Sequence, residues 1–573
     1  MGGLQLVSIL HGIVVCKINF VFYAPSLLVV AGLFLCYNQK WVSILFCGDM
    51  DMKSVKLLDC TLRDGGYLND WNFGQKAIRG TAEKIAETGV EFFEIGFIKD
   101  EAPNPDRTVF PSVQSIAPFI APKSPTLVYL GMIDCKCPPS LDSIPDYDGS
   151  SVDGIRVIFK KDKIDFAYDY CRGIKEKGYM LFVQFVGTDS YSDIEFVETI
   201  QKFNALQPYA MSIVDTFGTI KRKQFLRLVY LADNNMDKNI TLGYHAHNNL
   251  QQAFGNAVTM VEMNLNREIC IDACVFGMGR GAGNLNLELF ADHMNENYGT
   301  SYHIEPMLEI MDDYLNEIYS RRFWGYCLPY YLSATNGCHP NYAIYLEEKH
   351  SLTEKNFNEI LRSIPAENRR NYRREDAEKF YKQYMDQYVD DRKTVADLKK
   401  IFAGKPVLLL APGMSIVREC GRIRSFISEK SPVVVAVNCI PPGYSYDFVF
   451  SSNMRRYGDI QDFPGNAKKI VTSNMKSLGG WDYMLNFSSY ALSEPDLIDN
   501  SGLMFLNFLR TVSPGQVYVA GMDGYSTEGN YFKQSADYDS ATFNRRNTQI
   551  QEKLLEFSRE LKISLITESV YRV

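Results

Sequence analysis

Between residues 53 and about 300 the chain alternates short apolar runs with longer amphipathic stretches. The runs fall at 55–59, 91–97, 126–132, 153–159, 180–186, 211–215, 240–245 and 270–276. Each is of strand length, and most are continuous rather than alternating, as in parallel strands covered on both faces. Helical patterns such as 74–88 and 190–206 lie between them. Eight strand–helix units in roughly 250 residues predict a (β/α)8 TIM barrel, whose reactive end is the mouth at the C-terminal ends of the strands.

The pattern changes twice afterwards. Residues 301–404 read as helical, apart from "FWGYCLPYYLSATNGCHPNY" at 323–342, which is aromatic-rich and broken by glycine and proline. From about 405, "KPVLLLAPGMSI", "SPVVVAVNCI", "YDFVFSSNMRRY" and "VYVAGMDGY" predict an open, Rossmann-like α/β sheet. In "APGMS" a strand hands over to a helix. Gly413 and Ser415 are therefore candidates to hold an anion through free N–H groups and the helix dipole. The expected organisation is an apolar extension at 1–52, the barrel at 53–300, a helical lid or linker at 301–404 and the α/β unit at 405–573. Within the extension, residues 19–38 have about the length of a membrane span. They read either as an anchor or as sequence upstream of a natural start at Met50 or Met52. Weak flanking charges, Lys17 and Lys40, favour the second.

Composition narrows the function. A net charge of -8 leaves no basic footprint for nucleic acid. Thirteen scattered cysteines without a CxxC pair suit a reducing, cytoplasmic setting. Histidines number only seven, yet His245 and His247 stand together in "GYHAHNN" at the end of strand seven. Residues i and i+2 of a strand project to one side, so both imidazoles can meet one ion. Arg63 and Asp64 end strand one, with Gly65-Gly66 expected to let the backbone turn sharply. One carboxylate from Asp64 plus two imidazoles, with positions left open, suits Mn²⁺, Mg²⁺, Fe²⁺, Co²⁺ or Zn²⁺.

"DCTLRDGG", "HAHNN" and "GMGRGAGN" occur in order at strands one, seven and eight. They resemble the motifs of the DRE-TIM metallolyase superfamily, which includes 4-hydroxy-2-oxovalerate aldolase, hydroxymethylglutaryl-CoA lyase and isopropylmalate synthase. The resemblance covers residues 53–300. It implies a divalent cation, Mn²⁺ or Mg²⁺ first, on Asp64, His245 and His247, with Asn284 completing the site. It implies an enolate-stabilising role for Arg63 and a 2-oxo acid substrate whose C–C bond next to the carbonyl is made or broken. The aldolase branch carries a catalytic histidine where this chain has Tyr67, and the lyase branch a cysteine that "GMGRGAG" lacks. Tyr67 is then either a proton shuttle, if its pKa is lowered by the cation or Arg63, or a packing residue. A G-Y-x-x-x-Y run in the aldolase lid is matched by Gly325, Tyr326 and Tyr330.

Other residues carry expectations of their own. Glu94 and Asp215 orient Arg63, bind a substrate hydroxyl or fix ligands. Arg280 meets a substrate carboxylate or is plain surface. His339 is a further lid candidate, while Asp272 ties strand eight to its neighbours. The C-terminal unit looks somewhat like sialyltransferase-like and sugar-nucleotide-associated domains, which implies a nucleotide or nucleotide-sugar partner; a docking or dimerisation role is the alternative, and a homo-oligomer is compatible. A barrel without catalysis, serving that unit, is the competing reading of the whole chain.

Overall fold

The computed structural model describes residues 54–462, 465–526 and 540–573. Ahead of them it gives the backbone of two antiparallel pairs, Gln5–Leu10 with Ile13–Lys17 and Leu33–Tyr37 with Lys40–Ile44. The candidate span 19–38 lies largely outside the described residues. No described helix is long and apolar enough to cross a membrane.

The eight apolar runs are the eight strands of a closed parallel barrel. They are β1 (Val55–Asp59), β2 (Phe92–Ile98), β3 (Val128–Asp134), β4 (Gly154–Phe159), β5 (Met180–Phe185), β6 (Ala210–Asp215), β7 (Thr241–Ala246) and β8 (Ile269–Ala273). Each pairs with the next, and β1 pairs with both β8 and β2, which closes the ring. Helices Gln75–Thr88 and Asp193–Asn204 occupy the predicted helical stretches. They bury Ile78, Ile85, Phe196 and Phe203 in the core of the barrel unit. Ser192 and Glu195 start the second helix with a reciprocal capping box.

The inside of the barrel is layered. Leu58, Phe92, Leu130, Phe182, Ala210 and Cys270 form an apolar floor. Two residues beyond four of these on their strands come Glu94, Gln184, Ser212 and Asp272, joined by Arg156 two beyond Gly154 and His245 two beyond Gly243, all six buried. Gly243 precedes His245 in this register because a Cβ there would lie 2.1 Å from the Ser212 hydroxyl. Buried polar groups are costly unless they find partners. A polar layer above an apolar floor is therefore a built site, not leftover core.

After the barrel, Met307, Leu315 and Trp324 still pack in its core. From Leu332 onward the helical residues, Tyr342, Phe357, Tyr381 and Phe402 among them, share a core with Val435 and Phe450 of the second sheet and Phe505 of the helix Ser501–Val512. That sheet has β9 (Pro406–Leu410), β10 (Val433–Val437), β11 (Phe448–Ser451), β12 (Lys468–Thr472), β13 (Tyr483–Leu485), β14 (Gln516–Ala520) and β15 (Ile563–Leu565). All are parallel, in the order β13-β12-β11-β10-β9-β14-β15. The helical segment also reaches the barrel loops. Arg370 makes a two-pronged ion pair with Asp189 and lies 5.5 Å from the Phe217 ring centroid, against which His339 also packs.

Candidate metal and catalytic site

Three of the described residues place ligand atoms within 4.8 Å of one another at the barrel mouth: Asp64, His245 and His247. His245 ends β7. His247 follows it on an extended backbone that bridges to Asn284, and its N–H is held by the Asp215 carbonyl at 3.2 Å. Asp64 closes a one-turn helix, Thr61–Asp64, at the end of β1, and a 3-10 turn, Gly65–Leu68, carries the chain on. Gly65 and Gly66 therefore do a different job from the one expected. Gly65 sits at φ -60, ordinary for any residue. What excludes side chains is space: a Cβ on Gly65 would lie 2.7 Å from the Met278 sulfur, and one on Gly66 2.0 Å from Trp71 Cδ1.

Whether these groups suit a cation is decided by the donors around them. His245 Nδ1–H donates to Asp272 Oδ2 at 3.0 Å, which leaves Nε2 as its lone-pair nitrogen. His247 Nε2 lies 3.6 Å from Asp64 Oδ2. Asn284 donates its amide to Asp64 Oδ2 (2.7 Å) and the Met278 carbonyl (3.0 Å), while its buried Oδ1 accepts from nothing among the described residues. A buried oxygen without a donor, beside a carboxylate and two imidazole nitrogens, is a donor set that fits a divalent cation.

The charges form a chain across the barrel. Arg63 reaches Asp64 with Nη1 and Glu94 Oε2 with Nε at 2.6 Å. The same Glu94 oxygen meets Arg156 Nη1 at 3.1 Å, and Arg156 Nη2 meets Asp272, the partner of His245. Glu94 thus orients Arg63. Asp272 is more than a strand tie, and Arg156 was not singled out from the sequence. Burial pushes the Asp64 carboxyl up, but Arg63, His247 and His245 outweigh it and hold the group well below the carboxylate range. Asp272 is lowered likewise, Arg156 overriding its burial. Burial takes His247 down to about 3 against the pull of Asp64.

The remaining candidates divide. Asp215 accepts the N–H groups of Thr219 (2.8 Å) and Ile220 (3.0 Å), so it shapes the loop after β6; burial raises it to about 7. Arg280 stacks 4.9 Å over the Tyr67 ring and has a buried Nε without a partner. Tyr67 also meets Trp71 edge to face. Its pKa is raised, because burial outweighs Arg280 and Arg63. Tyr326 is 55% exposed, and Tyr330 packs against the core of the second sheet, where burial lifts it to about 12. The side chain placed over the barrel mouth is His339. It stacks on Tyr372 and packs on Phe217, and its Nδ1 accepts the Asn341 N–H at 3.1 Å as the cap of helix Pro340–Glu347. Gly413 and Ser415 differ from expectation. Gly413 N–H donates to the Gly521 carbonyl at 2.7 Å, and the Ser415 N–H and hydroxyl both go to Asp523. The helix there, Ser415–Arg418, is a single turn, so these donors are already taken.

Residues 161–311 match the HMGL-like family model. Together with the three motifs on β1, β7 and β8, that makes the barrel similar to the DRE-TIM metallolyase superfamily. Similar curated proteins include 4-hydroxy-2-oxovalerate aldolase of Desulfitobacterium hafniense, 23% identical over 282 residues, 47% of this chain and 80% of that protein. Oxaloacetate decarboxylase of Mycobacterium tuberculosis is 21% identical over 240 residues, 40% of this chain and 67% of that one. The crystal structure of the HMG-CoA lyase from Brucella melitensis superposes with a TM-score of 0.37 at 14% identity, covering 45% of this chain and 96% of that one. DRE-TIM proteins are metal-dependent lyases and aldolases.

His339 gives a pH test. Burial, with Arg280 beside it, takes His339 down to about 3. A histidine lowered from about 6.5 stays neutral when folded but takes a proton when unfolded, so its contribution is complete above about 6.5 and is lost as pH falls. Asp59 and Asp215, both raised to about 7 by burial, act oppositely: they favour the fold as pH falls from about 7 toward 4. The whole-protein profile is thus flattened, and a variant isolates one group. His339→Asn keeps a capping acceptor. In chelator-treated protein the stability of wild type relative to His339→Asn should fall below pH 6.5, approaching ~1.4 kcal/mol per pH unit. Parallel melts at pH 7, 6 and 5 check this, and a constant difference contradicts it.

Proposed function

We propose that the barrel makes or breaks a C–C bond next to the carbonyl of a 2-oxo acid, in the manner of a 4-hydroxy-2-oxo acid aldolase. The observation that carries this is the unpartnered Asn284 Oδ1 beside Asp64, His245 and His247, with Arg63 fixed against Glu94 a few atoms away. Asp64, His245, His247 and Asn284 would hold the cation, Mn²⁺ or Mg²⁺ by preference. When bound, the cation supplies Lewis-acid stabilisation to an oxygen that gains negative charge.

The protein groups supply the rest. Arg63 cannot swing away, because Glu94 and Asp64 grip two of its nitrogens, so its guanidinium is preorganised toward a developing enolate oxygen. Arg280 offers its buried Nε to the substrate carboxylate. In the cleavage direction a base removes the 4-hydroxyl proton, the C3–C4 bond breaks, and its electron pair moves toward the C2 carbonyl oxygen. We assign His339 a donor's role: its Nδ1 accepts the Asn341 N–H, so the neutral ring carries its proton on Nε2 and offers it to the 4-oxygen, while the 4-hydroxyl proton passes to water. Tyr67 stays protonated and packs between Arg280 and Trp71.

The assignments predict a split. His339→Asn should lower turnover more than Tyr67→Phe does, with metal content unchanged in both. Pyruvate release from a panel of 4-hydroxy-2-oxo acids measures both. The reverse order of effects would return proton transfer to Tyr67. The competing reading, a barrel without catalysis, requires that no substrate in the panel be cleaved by metal-loaded protein.

A further inference from the structure

We propose that the second sheet carries its own ligand site, for a phosphate-bearing small molecule of nucleotide size, separate from the barrel chemistry. The chain enters this sheet at β9, builds outward to β13, then returns to the other side of β9 with β14. The loops after β9 and β14 therefore leave in opposite directions. Open parallel sheets bind ligands in the crevice that such a reversal creates at the strand C-termini. A cavity of about 260 Å³ lies there, bordered by Pro412 and Gly413 after β9 and by Gly521 and Met522 after β14. Its size is close to the lower end of small-molecule sites.

Charge indicates the ligand class. Three acids border the cavity, but each has a partner: Asp523 takes the Ser415 N–H and hydroxyl, Asp496 the Arg545 Nε at 2.7 Å, and Asp499 the Tyr381 hydroxyl at 2.7 Å. Three cations, Lys349, Arg456 and Arg546, line it as well. Lys349 donates to the Pro495 carbonyl at 2.8 Å. Its ammonium lies 4.7 and 5.1 Å from the ring centroids of Tyr345 and Tyr381, with the carboxylates of Asp499 and Asp496 and the guanidinium of Arg546 also acting on it. The start of helix Ser501–Val512 forms another wall, with its dipole toward the cavity. Tyr525 and Phe543 also line the cavity with near-parallel rings, Arg546 lies 5.5 Å from the Tyr525 ring centroid, and Asn547 fixes the Tyr525 backbone through two hydrogen bonds of 2.9 Å. Cations for a phosphate and flat aromatic surface for a base, gathered in one cavity, fit a nucleoside phosphate.

The test uses the full chain, stripped of metal so that phosphates cannot report on the barrel. Calorimetric titrations with AMP, CMP, GMP, UMP, their diphosphates and inorganic pyrophosphate are compared with Lys349→Met and Gly502→Val. A Cβ on Gly502 would meet the mobile end of Met522 at 3.1 Å and Asn500 Oδ1 at 3.5 Å, side-chain atoms both, so valine narrows the cavity without a backbone clash. The expected result is saturable binding of at least one nucleotide, tighter than pyrophosphate, weakened about tenfold or more in both variants at unchanged unliganded Tm. Absence of binding by every probe overturns the proposal. So does binding that both variants retain, or pyrophosphate binding that no nucleotide exceeds. If either variant melts early, the other decides.

Discussion

Asp64→Asn is expected to empty the metal site and to reduce aldol cleavage to background. Asp64 is the one carboxylate in the three-residue ligand set and is buried. It is held ionised by Arg63 and the two imidazoles against the cost of its own burial. An amide of the same shape keeps the volume but removes the charge that offsets a dication. It also turns a group that only accepts into one that donates toward His247. Wild type purified without chelator should hold about one divalent ion per chain, and the variant close to none. Turnover should fall by at least ~10²–10³, the effect of losing one electrostatic stabiliser of a developing oxyanion. Elemental analysis and pyruvate release are measured on the same preparation. His245→Ala/His247→Ala should match it in metal content. Stoichiometric metal retained in both would remove these residues from the ligand set.

How far this site could be read in advance differed from residue to residue. The strands were legible because parallel strands buried on both faces are short apolar runs, and eight of them at regular spacing leave little choice of architecture. His245 and His247 were legible because the two-residue period of a strand puts both on one side. Arg156 was not read, although a signal existed. Glu94 in "FFEIG", Arg156 in "GIRVIF" and Asp272 in "ICIDAC" are each a charge inside an apolar strand. Charges buried at one height in a closed barrel must pair with one another. Closure, which no single strand displays, is what brings them together. The cover of the mouth was only partly legible for a related reason. Spacing singled out Tyr326 and Tyr330, but Leu332 and Cys338 nearby are drawn into the second core, and Tyr330 with them. The reach back to the barrel comes later, at His339 and Arg370, where tertiary contacts with Phe217 and Asp189 decide the placement. At "APGMS" the turn was foreseen but not the competitor. Asp523, more than a hundred residues away in sequence, supplies the anion that Ser415 binds.

Arg156→Met should be among the most destabilising single changes in the barrel. The guanidinium is buried and bridges two buried carboxylates, Glu94 and Asp272. Methionine fills much of the space but leaves both acids without that partner. Breaking a buried ion pair from one side costs about 3–5 kcal/mol, and here one cation serves two acids. A barrel of this size shifts by about 2–4 °C per kcal/mol, so a fall in Tm of roughly 10 °C or more is expected. The loss should also reach the metal. Asp272 orients His245 through Nδ1, and loosening such a partner weakens metal affinity by about 10–100-fold. Two observables then separate support from chemistry. Arg156→Met/Asp272→Asn removes one orphaned charge together with its cation, and should regain part of the lost Tm. It should not regain tight metal binding, because an amide holds the His245 N–H less firmly than a carboxylate. If the single variant melts like wild type, the chain Arg63–Glu94–Arg156–Asp272–His245 does not act as one unit. The orientation of His245 would then rest on Asp272 alone.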